Sequence, residues 1–329
     1  MGTVPFRELG SGDIGRAGGK AAHLGDLLQA GFPVPDGFAV TTDAFDTVVG
    51  HRVDELVAAI DPGDVAALEH AAEHLREVVE ALDVPTAIAG GIRAAYERLG
   101  AVDVAVRSSA VAEDAADASF AGMQSTFLGV RGADAVLAAV RRCWASYFNA
   151  EALAYRARQG GAAGMSVAVQ RMVDARAAGV MFTVNPVTGD RSSIVIDASY
   201  GVGAAVVGGE VTPDSFLYSK VTRELVRTQI GSKEIEYVGA VTRPVPPELR
   251  ARACLEPDEV ARVAELGRDV ERHYGSPQDI EWAIDREGEV VLLQSRPVTA
   301  TTVARAGEGP KSQTDRLAAL YLDRRQLKL

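Results

Sequence analysis

Two β-favouring runs meet around one glycine-bearing turn near the end of this chain. They are Gln278-Asp-Ile-Glu-Trp-Ala-Ile-Asp285, the turn Arg286-Glu-Gly-Glu289, and Val290-Val-Leu-Leu-Gln-Ser-Arg296. This pattern predicts a β-hairpin. A loop centred on Glu287 and Gly288 sets a register in which Glu281 lies opposite Gln294 and Asp279 opposite Arg296. The two-residue period of a strand then places these four on one face. The other face is expected to carry Ile280, Trp282, Ile284, Val291 and Leu293, which call for a core.

One side of the ribbon is thus oily, and the other ends in two carboxylates, an amide and a guanidinium. Carboxylate and amide oxygens suit a hard cation such as Mg2+. An arginine suits a phosphoryl oxygen. A Mg2+–polyphosphate site is one reading of this face, and an ordinary solvated ribbon is the other.

The rest of the chain limits the alternatives. With 329 residues it has room for one large domain or two of medium size. A formal net charge of −11 argues against nucleic acid as the main partner. No apolar run approaches the length of a membrane span, and the first residues lack an apolar signal core. The two cysteines, Cys143 and Cys254, read as isolated thiols of a reduced, cytoplasmic protein.

Hydrophobic periodicity predicts helices at 21–30, within 51–99 and at 133–157, and again at 262–274 and 316–329. Short strands are expected at 38–41, 102–107, 166–170, 179–184, 193–198, 215–219 and 225–230, ahead of the hairpin. The fold class is therefore α+β, with helices dominating the first half and sheet the second. The expected domains are residues 1–169, residues 170–299, and a linker with a short tail helix over 300–329.

Several segments could bind an anion or a base. Gly15-Arg-Ala-Gly-Gly-Lys20 offers close backbone approach, a following helix N-terminus and a lysine charge. Its spacing is not that of a Walker A loop. Arg107 stands at the end of the apolar run Val104-Ala-Val, where Ser108 and Ser109 could donate to phosphate. Ala118-Ser-Phe-Ala-Gly122 could close over phosphates. Gln170-Arg-Met-Val173 ends a strand and could run beside a flat base, with Met172 packed on it. Gly179-Val-Met-Phe-Thr183 leads into the turn Asn185-Pro-Val-Thr-Gly189. Each, taken singly, can also be read as an ordinary turn or strand end.

Taken in order, these segments together with Asp279-Ile-Glu-Trp282 and Gln294-Ser-Arg-Pro297 resemble the nucleotide-binding domain of the phosphoenolpyruvate synthase / pyruvate phosphate dikinase family, which rifampin phosphotransferase shares. The resemblance covers residues 5–299. It implies an ATP-grasp fold in which two subdomains enclose a nucleotide cleft, with ATP and Mg2+ as cofactors. Lys20, Arg107 and Arg296 would be the catalytic cations. Ser119 and Gly122 would cover the phosphates. Gln170, Arg171, Met172 and Val173 would line the adenine, with Thr183 also at the nucleotide, and Glu281 and Gln294 would hold the metal. The family cleaves ATP to AMP and phosphate and passes the β-phosphoryl group to a histidine on a swivelling domain.

Two departures accompany the resemblance. The family's Gly-Leu-Gly-Glu is here Gly201-Val-Gly-Ala204, which removes a carboxylate. The resemblance also ends where the family's linker begins, and none of the five histidines lies in the family's acceptor context. The expected function is therefore an ATP-dependent phosphotransferase component whose acceptor histidine lies on a separate domain or protein. The alternatives are a stand-alone small-molecule kinase of the antibiotic-modifying type and a non-catalytic nucleotide-binding module.

Overall fold

The computed structural model describes residues 2–58, 65–110, 125–150, 153 and 164–298. The chain forms two compact units. One comprises residues 1–31 and 35–172; the other comprises Phe32–Val34 and the chain from Val173 onward.

In the first unit the elements are β1 (Thr3–Pro5), α1 (Ile14–Gln29), β2 (Gly37–Val40), α2 (Thr42–Val48), α3 (Gly50–Ala58), α4 (Val65–Ala81), α5 (Thr86–Arg98), β3 (Val104–Ala110), β4 (Thr126–Val130), α6 (Ala133–Ser146) and β5 (Met165–Arg171). The strands form a five-stranded antiparallel sheet in the order β1-β2-β5-β3-β4. Alternation along these strands divides large residues from small. Phe38, Val40, Val104, Val106, Val167 and Val169 enter one core with Phe45, Leu75, Ile92, Val140 and Trp144 from the helices.

The opposite face carries Gly37, Ala39, Ala105, Ser109, Ser166 and Ala168, and α1 packs there. Small side chains on the sheet let the helix backbone come close. The helix is small-faced in turn, with Ala17, Gly18, Ala21, Ala22 and Gly25 buried.

In the second unit follow β6 (Ala175–Phe182), β7 (Ser193–Tyr200), α7 (Ala204–Val207), β8 (Asp214–Ser219), β9 (Glu224–Gln229), β10 (Ile235–Val238), β11 (Val241–Pro244), α8 (Pro247–Arg250), α9 (Pro257–Tyr274), β12 (Gln278–Asp285) and β13 (Val290–Pro297). Six strands run antiparallel in the order β13-β12-β6-β7-β8-β9, and β10 and β11 form a separate hairpin. Helix α9 covers one face of the large sheet, burying Val260, Val263, Ala264 and Val270. Its Gly267 lies over Met181: a Cβ there would come within 2.6 Å of the methionine sulfur. Short α7 covers part of the other face through Ala205 and Val206, which pack on Val180 and Phe182.

Most expected elements appear, with changed bounds. Helix α9 starts at Pro257, because proline suits a first helical position and the Glu259 carboxylate accepts the Glu256 N–H at 2.9 Å. It stops at Gly275, whose φ of 69° is the left-handed conformation glycine adopts freely. Helix α6 ends at Ser146, short of the expected 157; Ser146 Oγ donates to the Cys143 carbonyl at 2.7 Å in its last turn. Strand β3 runs past the expected end at 107, through Ser108 and Ser109, because both pair with β5. The segments 111–124 and 299–329, with the expected phosphate-covering loop and tail helix, lie outside the described residues.

Candidate nucleotide-phosphate site

The hairpin β12–β13 has the expected register at its open end. Gln278 pairs with Pro297, Asp279 with Arg296, and Glu281 with Gln294. Its turn is closed by Gly288, at φ 89°, whose N–H donates to the Asp285 carbonyl at 3.2 Å.

One expectation fails. The register shifts after Glu281, so Trp282 pairs with Leu292 and Ala283 with Val291. The extra residue is Leu293. Leu292 therefore joins Ile280, Trp282 and Ile284 as fully buried. Val291 and Leu293, expected there, pack instead with Ala175, Ala178 and Ala283. A bulge of this kind adds twist and re-aims the flanking side chains.

The polar face is built as follows. Arg296 donates from Nε at 2.9 Å and from Nη2 at 2.8 Å to the same oxygen, Oδ2, of Asp279. Asp279 is buried, so the pair is shielded and the guanidinium is held in one orientation. Two positions along, Glu281 and Gln294 stand opposite each other. Gln294 is buried and Glu281 half-buried. Register carries the face inward: Glu281 pairs with Val180, and Val180 with Asp197. Asp197 is buried and lies two strand spacings, about 10 Å, from Glu281. The sequence reading missed it. Its one signal was a carboxylate inside the apolar run Ile194-Val-Ile-Asp-Ala198.

Thr183 follows β6 directly and is fully buried, and its Oγ1 accepts the Gln278 N–H at 2.8 Å. Its carbonyl accepts from Lys220, which also pairs with Glu271. Thr183 thereby fixes where β12 begins. The following turn is tied by Asn185 Oδ1, which accepts from the N–H groups of Val187 and Thr188 at 3.0 and 3.1 Å. Hydrogen bonds from Ser193 and Ser192 hold the Asp190 carboxyl down at about 2.

The first unit brings together another set. Lys20 is buried in α1, just beyond Gly18, whose φ of 69° and ψ of 164° break the helix. Arg107 is half-buried in β3, on the sheet face that α1 covers. Gln170 lies on that same face, and its buried Nε2 has no hydrogen-bond acceptor among the described residues. Arg171 is exposed at the end of β5, and the Met172 N–H donates to the Asp103 carbonyl at 2.9 Å. Val173 is the first residue of the second unit's main segment and packs with Ala175, Ala178 and Ala283.

The two serines after Arg107 are already engaged. Ser108 Oγ accepts the Ser125 N–H at 3.1 Å. Ser109 Oγ donates to the Ala17 carbonyl at 3.1 Å and receives the Ala21 N–H at 3.4 Å. Ser109 is therefore not available to phosphate, contrary to expectation. Ser119 and Gly122 lie outside the described residues.

Ala204 opens α7, half-buried, at the position of the missing family carboxylate. Glu210 is exposed and accepts from the Tyr237 hydroxyl at 3.0 Å. Among the described residues no group of three or more His, Cys, Asp or Glu side chains could hold a metal.

One unit offers buried and half-buried cations beside a helix start. The other offers carboxylate and amide oxygens next to an anchored arginine. Each set, taken by itself, has side chains of the kind that bind phosphate or its metal ion. The chain belongs to the family described as "Pyruvate phosphate dikinase, AMP/ATP-binding domain", whose pattern matches residues 14–317. It is 46% identical over 312 residues to a probable phosphoenolpyruvate synthase of Methanothermobacter thermautotrophicus, across 89% of this chain and 45% of that protein. It is 38% identical to the phosphoenolpyruvate synthase of Pyrococcus furiosus, across 89% of this chain and 43% of that one. A rifampicin phosphotransferase of Streptomyces is 40% identical across 90% of this chain and 36% of its own length. The chain thus spans less than half the length of these relatives. Among solved structures, a D-alanine–D-alanine ligase of Coxiella burnetii aligns at 10% identity over 94% of this chain and 62% of its own, with a TM-score of 0.34, too distant to argue from.

Proposed function

We propose that this chain is the ATP-binding component of a phosphotransferase with an ATP-grasp arrangement. It would bind ATP with Mg2+ and pass a phosphoryl group to a histidine on a separate swivel domain or protein. The observation that carries this reading is the Glu281–Gln294 pair standing beside the Asp279-anchored Arg296 on one sheet face.

The donor set fits Mg2+. One carboxylate and one amide oxygen on facing strands leave most of the coordination shell to phosphate oxygens and water, as this ion prefers. Glu281 and Gln294 would hold it. When bound, the ion supplies charge neutralisation on the phosphate oxygens.

The chain's own part is positioning and electrostatics, which phosphoryl transfer chiefly needs. Arg296, oriented by Asp279, would contact the transferring phosphoryl group. Lys20 and Arg107 neutralise the other phosphates. The Gln170 Nε2–H, buried and without an acceptor among the described residues, suits an adenine ring nitrogen. Arg171, Met172 and Val173 would follow it along the base, and the Ser119–Gly122 segment would cover the phosphates. Thr183 serves this site by fixing the start of β12. Two buried free cysteines accord with a cytoplasmic setting.

The test is ATP turnover by this chain alone and with a protein that carries the family's phosphohistidine domain. AMP formation that depends on that protein supports the reading. Complete turnover to a phosphorylated small molecule without any partner contradicts it. That second outcome belongs to a small-molecule kinase, a reading favoured by the likeness to rifampicin phosphotransferase.

A further inference from the structure

We propose that Ser109 is a positioning residue: its hydroxyl caps the helical segment that carries Lys20 and so fixes that lysine relative to Arg107. The inference rests on the phosphate-binding roles of Lys20 and Arg107 given above.

Helix α1 is interrupted at Gly18, and a second helical segment starts directly after it. A helix start leaves its first backbone N–H groups without intrahelical partners. The residue before the first turn normally supplies a side-chain oxygen to one of them. Gly18 has no side chain. Ser109, from the adjacent strand β3, provides the oxygen instead by accepting the Ala21 N–H at 3.4 Å. The same hydroxyl donates to the Ala17 carbonyl at 3.1 Å, on the other side of the break. One buried hydroxyl thus holds both edges of the kink.

The fit leaves no slack. A Cβ on Gly18 would lie 2.1 Å from the Ser109 carbonyl oxygen. With φ at 69°, only glycine takes this position without strain. Lys20 is next but one after Gly18, and Arg107 is two residues before Ser109 on the same strand face. The clamp therefore joins the backbones that carry the two cations. A phosphate chain bridging them needs their separation fixed; adenosine, which has no phosphates, does not.

The experiment uses the full chain with Ser109→Ala, Lys20→Met and their combination. Calorimetry measures ATP–Mg2+ and adenosine binding, and hydrogen exchange follows the Ala21 amide. S109A is expected to weaken ATP about tenfold, the scale of one hydrogen bond, and to leave adenosine unchanged. S109A and K20M should be non-additive for ATP. Ala21 exchange should accelerate in S109A while the β5 amides stay protected. If S109A does not fold, Ser109→Cys, with its weaker donor, should give the same pattern at smaller amplitude.

Unchanged Ala21 protection, equal losses for ATP and adenosine, or an additive S109A–K20M cycle would each overturn the proposal. Failure of the wild-type chain to bind ATP overturns the function proposed above instead. The Ala21 exchange then still decides whether the clamp exists.

Discussion

Arg296 and Asp279 form a side-on pair across the β12–β13 hairpin, with two guanidinium N–H groups on one carboxylate oxygen, at 2.9 and 2.8 Å. The relationship separates two carboxylates that the sequence presents alike. Asp279 is committed to orienting an arginine, whereas Glu281, two residues on, faces the Gln294 amide. An arginine held in this way meets a phosphoryl oxygen with little reorganisation, the condition under which electrostatic stabilisation acts most strongly.

Asp279→Asn is therefore expected to slow phosphoryl transfer while leaving ATP affinity nearly intact. Losing a charge-assisted pair is worth about 1.5–3 kcal/mol, or roughly 10–150-fold in rate. Single-turnover measurement of ATP cleavage, with the acceptor protein supplied, checks this. A large rise in the ATP Kd with an unchanged rate would assign Asp279 to binding.

Gln294→Ala removes a neutral oxygen donor without leaving a charge unpaired. The Mg2+ concentration for half-maximal ATP binding should rise by about tenfold or more, the scale seen when groups around a metal are removed. A magnesium titration at fixed ATP reads the shift. An unaltered requirement would remove Gln294 from the metal shell.

The hairpin and its turn at Gly288 were legible in the sequence, but the turn alone does not set the register of the open end: beside it Ile284 pairs with Val290, and the bulge shifts the pairing so that Glu281 meets Gln294. The bulge at Leu293 was not legible. Leu292 and Leu293 are chemically identical, and packing against the remainder of the sheet decides which is buried. The role of Ser109 was hidden for another reason: its partners Ala17 and Ala21 lie 92 and 88 residues away in sequence. Ala204 was legible as a departure from the family pattern, and in the structure it opens α7, half-buried.

Stability rests on a separate ion pair. Lys233 and Asp214 are both fully buried with Nζ 2.5 Å from Oδ1, and Asp214 also accepts the N–H groups of Gly231 and Cys254 at 2.8 and 2.7 Å. Lys233→Met would strand a buried carboxylate. A loss of about 3–5 kcal/mol is expected in urea unfolding, with little change in ATP affinity if the variant is measured where it remains folded. A loss below about 1 kcal/mol would mean water reaches Asp214 once the lysine is gone.

Both thiols are raised by burial. For Cys143 the nearby charges of Lys20 and Arg142 offset this only in part, and for Cys254 the Asp214 carboxylate adds to it. The unfolded thiol ionises near a pKa of about 8.5 while the folded one does not. Their contribution to stability is therefore complete below that pH and lost progressively as pH rises above it. Urea midpoints of the wild type should fall more steeply between pH 8 and pH 10, roughly the range that brackets thiol ionisation, than those of a Cys143→Ala, Cys254→Ala variant. Parallel slopes would show that the thiols do not contribute.

Calorimetric titration of the full chain with ATP, with and without Mg2+, and of its Glu281→Gln variant tests the central claim most directly. The account predicts saturable binding by the wild type with a Kd of about 1 μM–1 mM, the range of ordinary substrate affinities. It also predicts that omitting Mg2+ or introducing E281Q weakens that binding by at least about tenfold. No saturable heat at any Mg2+ concentration, or an E281Q variant that binds ATP–Mg2+ as tightly as the wild type, would contradict it.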